Sequence, residues 1–468
     1  MSKRKGESQV FQSKKRCLQA VVLPPICRMK RKGGFQVPQS PNKKRCIQAF
    51  DLNLLPPELW RCIQLFLLPK DQLAFRHCSK MLKECIIPKN LCLNVITARE
   101  MFVYANKHRL RNRPVTIFPP LSSIQYVNLS GTSITDVSAL KGIQTVKLHY
   151  CSKLEDVSPL AGVYDLDLSM CYQVKDVSAL AQVSKLNLSY CDEITDVSSL
   201  GKVHTLILTG CSAITDVASL GGVHTLVLRG CHGITDVSAL GGVNTLDVSG
   251  CYRITDVSAL GKVHKLNLRH CYEITDVSAL GRVHILDLSH CHGIFDVSSL
   301  GRVHNLDLSH CCRITNVSSL GKVYSLNLTG CDEITDVSSL RSVNTLNLSH
   351  CEGITDVSSL GSVHILNLTG CHHITDVSSL GSVNTLHLRF CRRITDVSSL
   401  GGVHSLDLSH CEGITDVSSL GSVHTLNLSY CEGITDVSSL GRIHTLDISY
   451  CPKINDVSSL GGVHTLHS

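Results

Sequence analysis

Cysteine recurs at every twentieth residue from Cys151 to Cys451, sixteen times without a gap. Thiols at this spacing could do three kinds of chemistry. Disulfides need Cβ atoms about 3.8 Å apart, closer than the turns of a regular stack approach one another. Metal ligation needs convergent partners. His290 and His292 flank Cys291, but neighbours on an extended chain point to opposite sides and cannot close on one ion. Packing as small interior residues, with the S–H facing the backbone, needs neither condition. The period therefore predicts core thiols, with no metal and no cofactor.

Two further ladders keep the same beat. Aspartate stands at 136, 156, 176 and onward, with Asn316 the exception. Stacked carboxylates about 5 Å apart repel one another. Each is expected to accept backbone N–H groups of the turn after it, as Asp296 would from Ser298 and Ser299. Calcium would need more oxygen ligands than the repeat supplies. Histidine recurs at His204, His224, His264, His284, His304, His364, His404, His424, His444 and His464, with a shorter run at His270, His290 and His310. These read as exposed polar rows that would charge together on acidification.

Comparison of the copies separates scaffold from surface. The apolar positions barely change, and variation gathers beside Arg229, Arg269, His387, Arg389, Phe390, Arg392 and Arg393. One aromatic among basic groups suits an acidic peptide or a phosphate, so these seven residues are the candidate substrate-binding set. No phosphate loop, nucleophile motif or metal quartet is present, and no catalysis is expected.

The elements that position these residues follow from the repeat itself. In the copy from Val283 to Arg302 the apolar set is Val283, Leu286, Leu288, Cys291, Ile294, Val297 and Leu300. Leu286 and Leu288 alternate with polar or exposed neighbours, which predicts a short strand with one face buried. Val297–Leu300 is too short for a full helix and predicts a 3-10 or irregular turn. Gly301 follows it, where a positive φ is easiest for glycine. A fixed short period means coils stacked into a solenoid with one continuous core. Seventeen steps at about 4.8 Å would give a parallel sheet on the order of 80 Å long.

This pattern resembles the leucine-rich repeats, and L-x-L-x-x-C-x-x-I-T-D is similar to their cysteine-containing class. The outer segment is trimmed to Asp-Val-Ser-x-Leu-Gly, shorter than that class carries. In the first copy Thr132 replaces the cysteine, and one residue separates it from Ile134. The fold expected for residues 127–468 is an α/β leucine-rich-repeat solenoid of about 17 coils, with a parallel β-sheet on one face and short 3-10 or irregular turns on the other.

Residues 1–50 form a basic tail, expected to be disordered, with thirteen Lys and Arg against one acid, Glu7. The tail is +12 and the remainder of the chain −5, which together make the net +7. Lys3, Arg4 and Lys5 with Lys14, Lys15 and Arg16 have the separation of a bipartite nuclear-import signal. A plain solvated tail is the competing reading, and direct nucleic-acid contact the weakest of the three. No run of about 18 apolar residues occurs, so no membrane span is expected. Abundant cysteine without an export signal fits a reducing cytoplasm or nucleus.

Residues 51–90 change character. Leu55-Pro56-Pro57-Glu58-Leu59 opens a helix, with Leu59, Ile63, Phe66 and Leu67 on one face. Two more short amphipathic helices follow, capped by Asp71 and Ser79. Their core is too small for strong independent stability, so a partner or docked neighbour is expected. The segment resembles an F-box, on the matches Leu55, Pro56, Glu58, Leu59, Ile63, Leu67, Asp71, Leu73, Arg76, Ser79, Lys80 and Leu82. Cys78 and Met81 depart from that family, where valine and tryptophan are usual. Residues 91–126 connect this three-helix segment to the repeats and cap them. The resemblance implies docking on a Skp-type adaptor and its cullin complex through Leu55, Pro56, Glu58, Leu59, Ile63, Leu67 and Leu73. The repeats would then hold a protein for ubiquitination. The alternative is a repeat scaffold for protein–protein interaction whose helical segment only caps the coils. The sequence stops mid-coil at Leu466-His467-Ser468, so self-association through Leu460, Val463 and Leu466 is a further expectation.

Overall fold

The structure, a computed structural model, describes residues 125–468. The basic tail, the F-box-like segment and nearly all of the connecting segment, with their adaptor-docking and import residues, lie outside the described residues.

Within them, eighteen three-residue strands, β1 (Tyr126–Asn128) to β18 (Thr465–His467), form one parallel sheet. Each strand pairs with the next in sequence. β9 (Ile285–Asp287) aligns with β10 (Asn305–Asp307) so that Leu286 faces Leu306, a register of one whole repeat. The first step is one residue shorter, Tyr126 facing Thr145, because the first copy lacks a residue after Thr132. The ladder outruns the strands. The Leu288 amide donates to the Asp307 carbonyl and the His290 amide to that of Ser309, both at 2.8 Å.

A strand of this length follows from an L-x-L core. Only its middle residue and the leucine just beyond point inward, and the chain must then turn to place the cysteine. Val283, Leu286, Leu288, Cys291, Ile294, Val297 and Leu300 are each at most 1% exposed. The coils between the two ends contribute the same set to one continuous interior, whereas in the last coil Leu460 is buried and Val457 and Leu466 are exposed. The far side is closed by 3-10 turns such as Ser298–Leu300, and no α-helix occurs among the described residues.

The backbone departs from expectation at two places. Gly301 has φ −63°, not a positive value. What its position limits is space, since a Cβ there would overlap the Ser319 carbonyl oxygen of the next coil. The left-handed conformation instead falls one residue before each cysteine, at Tyr150, Met170, Tyr190, His270, His290, His310, His350, Phe390, His410, Tyr430 and Tyr450, with glycine in the other coils. Side chains there cost roughly 1 kcal/mol or more against the ordinary helical region. Stacking along the column offsets part of this: His270, His290 and His310 lie with ring centroids 4.4 and 4.5 Å apart.

Candidate functional site

The sixteen ladder cysteines are free, buried thiols. From Cys151 to Cys431 the turn into each cysteine is closed by its own amide, as Cys291 N–H donates to Leu288 O at 3.1 Å. The Sγ then reaches back one coil, and that of Cys291 donates to the Leu268 carbonyl at 3.2 Å. Burial pushes the Cys211 thiol up to about 11 and the Cys191 thiol up to about 12. Thiols raised in this way stay protonated at neutral pH and are unsuited to nucleophilic work. Among the described residues no group of three or more His, Cys, Asp or Glu is placed to hold a metal ion.

The aspartate ladder caps more sparingly than expected. Asp296 Oδ1 accepts the Ser298 amide at 2.9 Å, and no bond from Ser299 is formed. Ser299 Oγ instead donates to the Val277 carbonyl of the preceding coil. The Ser298 hydrogen bonds hold the Asp296 carboxyl below the usual carboxylate range, although the group is fully exposed. Asn316 accepts from Ser318 with the same geometry, so the cap needs the oxygen and not the charge.

The histidines before the strands form three stacked runs, not one row. His204 stacks on His224, His264 on His284 and His304, and His404 on His424, His444 and His464, with centroids 4.6 to 4.8 Å apart. His364 stands between Asn344 and Asn384, outside these runs.

The basic candidates do not share one patch. Arg229 follows β6 (Thr225–Val227), Arg269 follows β8 (Lys265–Asn267), and Arg389 follows β14 (Thr385–His387). Arg229 and Arg269 thus lie eight and six coils from Arg389, roughly 38 and 29 Å at the spacing of paired strands. They also have different partners. Arg229 bridges to Asp247 Oδ2 at 2.8 Å and donates to Ser249 Oγ at 3.2 Å. Arg269 Nε sits 3.2 Å from His270 Nε2. Arg389 lies over the Phe390 ring, 4.8 Å from its centroid.

The other members cluster around Phe390. His387 is the last residue of β14 and faces Asp407 in β15 (Ser405–Asp407). Arg392 pairs at 3.4 Å with Glu412, both well exposed, and Arg393 is exposed beside it. Phe390 begins an aromatic column absent from the candidate set: it stacks on His410, that on Tyr430, and that on Tyr450, at 4.3 to 4.4 Å. A ring recurring at twenty-residue spacing was the signal for it. Ser409 was also missed, because a serine at a position that is usually serine carries no signal. It is 2% exposed, and its Oγ has no hydrogen-bond partner.

A leucine-rich-repeat family model matches residues 339–358, one full coil. No curated protein matched. Among solved structures, one similar fold is the functional domain of InlJ from Listeria monocytogenes, described as including a cysteine ladder. It is 22% identical over 66% of this chain and 73% of that one, with a TM-score of 0.47. An internalin, InlF, of the same organism is 20% identical over 80% of this chain and 98% of its own, TM-score 0.42. A leucine-rich-repeat protein of Leptospira interrogans is 15% identical over 70% and 91%, TM-score 0.48. The parallel sheet, its one-repeat register, the 3-10 turns and the buried leucine and cysteine ladders make the described residues a leucine-rich-repeat solenoid.

Proposed function

We propose that this chain works by holding another protein against the strand side of its solenoid, and that residues 51–90 couple it to a Skp-type adaptor. The first part rests on one observation. Interior positions repeat almost unchanged, while the side chains beside the strands differ from coil to coil. A surface that varies over an invariant frame suits recognition. No helix among the described residues is long and apolar enough to cross a membrane.

The second part is supported by the F-box resemblance alone. If it holds, the chain is the substrate-recognition subunit of a cullin-type ubiquitin ligase and contributes proximity, with no reaction of its own. Without it, the chain is a protein-binding scaffold. A pull-down of the purified adaptor with the full chain and with a chain lacking residues 54–88 separates them: retention by the full chain alone is expected, and equal or no retention ends the adaptor reading. For the binding surface, a photo-crosslinking residue is placed at Thr425 on a strand and at Ser438 on a turn. Crosslinked protein is expected from the strand position. Adducts confined to the turn position would place recognition on the wrong side for this reading.

A further inference from the structure

Arginine occupies the same place in the coil at 229 and 389, yet its head group is used differently. Arg229 precedes Gly230, which presents no ring, and folds down onto Asp247 and Ser249. Arg389 precedes Phe390 and is drawn onto its face. The equivalents of Asp247 and Ser249 are present one coil on, as Asp407 and Ser409. Asp407 Oδ1 accepts the Ser409 amide at 2.9 Å, as Asp247 Oδ1 does that of Ser249. There the likeness ends. The Ser249 Oγ donates to Asp247 at 2.6 Å, whereas the Ser409 Oγ is buried without a partner. A buried hydroxyl left unsatisfied is unfavourable, and an arriving acceptor would relieve it. The Arg229 pose shows that a guanidinium at this place reaches the serine beneath it.

We propose that Arg389, poised over Phe390, and the orphan hydroxyl of Ser409 form a pocket for a carboxylate side chain, the aspartate or glutamate of a bound protein segment. Charge chooses among oxyanions. Arg389, Arg392 and Arg393 stand against Asp407 and Glu412, which leaves one net positive charge for a monoanion. A phosphoryl dianion would face both carboxylates with a charge unmatched. Guanidinium and carboxylate meet in two parallel hydrogen bonds, and the buried Ser409 hydroxyl adds a third once the side chains over it shift. Phe390 is a positioning residue: it keeps the guanidinium off Asp407 and so available.

This rests on the strand side being the binding surface. The test is fluorescence anisotropy on the full chain at low salt, with a glutamate-rich peptide, its glutamine counterpart and its phosphoserine counterpart. The glutamate peptide is expected to bind about tenfold or more tightly than the glutamine peptide, and at least as tightly as the phosphoserine peptide. Arg389→Ala and Phe390→Gly should each weaken it about tenfold, and Arg229→Ala should not. Phe390→Gly removes no charge and suits the backbone, whose φ is +63°, so its loss would report release of Arg389 onto Asp407. Equal binding of the glutamate and glutamine peptides, unchanged binding by Phe390→Gly, an equal loss in Arg229→Ala, or preference for the phosphoserine peptide would each overturn the pocket. Crosslinks from Thr425 in the face of any such result would leave the broader reading of the strand side intact.

Discussion

The Leu268 carbonyl takes two hydrogen bonds, from the Cys271 amide at 3.0 Å and from the Cys291 thiol of the next coil at 3.2 Å. Each thiol therefore ties a strand end to the coil behind it. Cys291→Ala removes that tie and opens a small void in a packed interior. It should lower stability by about 1–2 kcal/mol, read as a fall in the urea midpoint. Because stability in stacked repeats is passed between neighbours, hydrogen exchange should rise first in the coils on either side. An unchanged midpoint would mean that the thiol is only filler.

Thiol chemistry gives a second check within two adjacent residues. Cys311 is fully buried and Cys312 is exposed. Brief alkylation of the native chain, mapped by mass spectrometry, should mark Cys312 and spare Cys311. Alkali should also weaken the fold. Burial raises the folded thiols from Cys171 onward above their ordinary value of 9.0, to about 11 at Cys351 and about 12 at Cys271, whereas at Cys151 hydrogen bonds, led by that with Cys171, lower it to about 7. Above pH 9 the unfolded chain releases protons that the folded chain keeps, so the thiols' contribution is full below that point and lost as pH rises toward the folded values. Melting temperature should begin to fall near pH 9, and labelling of both cysteines at equal rates at neutral pH would contradict the ladder itself.

Much of this was legible because the repeat writes each buried position many times over. Leu286, Cys291 and Leu300 could be assigned to the interior from period alone, and Asp296 to a cap. The left-handed residue could not. His290, Tyr190, Met170 and Phe390 are poor markers of that conformation, which arises from closing the turn between the Cys291 amide and Leu288. Nor could the arginines be told apart one at a time. Arg229, Arg269 and Arg389 look equivalent in sequence, and the residue after each decides where its charge goes: Gly230, His270 or Phe390.

Gly370 tests the cost of that left-handed column directly. Its φ is +75°, and a Cβ there would meet the His350 ring at 2.5 Å. Gly370→Ala meets both penalties at once, and the double change with His350→Gly meets only the backbone one. The single variant should lose roughly 1–2 kcal/mol, with part restored in the double variant. Equal stability of the two would show that the ring makes no demand on its neighbour.

Acid should loosen the coils through the stacked imidazoles. Burial holds His270 below the ordinary histidine value, with Arg269 and His292 adding to the effect. His290 is lowered by burial and then by His270 and His310 on either side, with Arg269 and His292 adding to the effect. At His410 burial, Arg389 and Arg392 outweigh Asp407 and Glu412. A histidine lowered in the folded state binds its proton more readily when unfolded. Stability is therefore retained above the unfolded value near 6.5 and declines as pH falls through it toward the lowered folded values. Melting temperature should drop between about pH 7.5 and about pH 5.5. Tyrosine already occupies this column at Tyr190 and Tyr430, so His290→Tyr should keep the stack and flatten the decline. A decline just as steep in that variant would assign the acid sensitivity to groups outside the column.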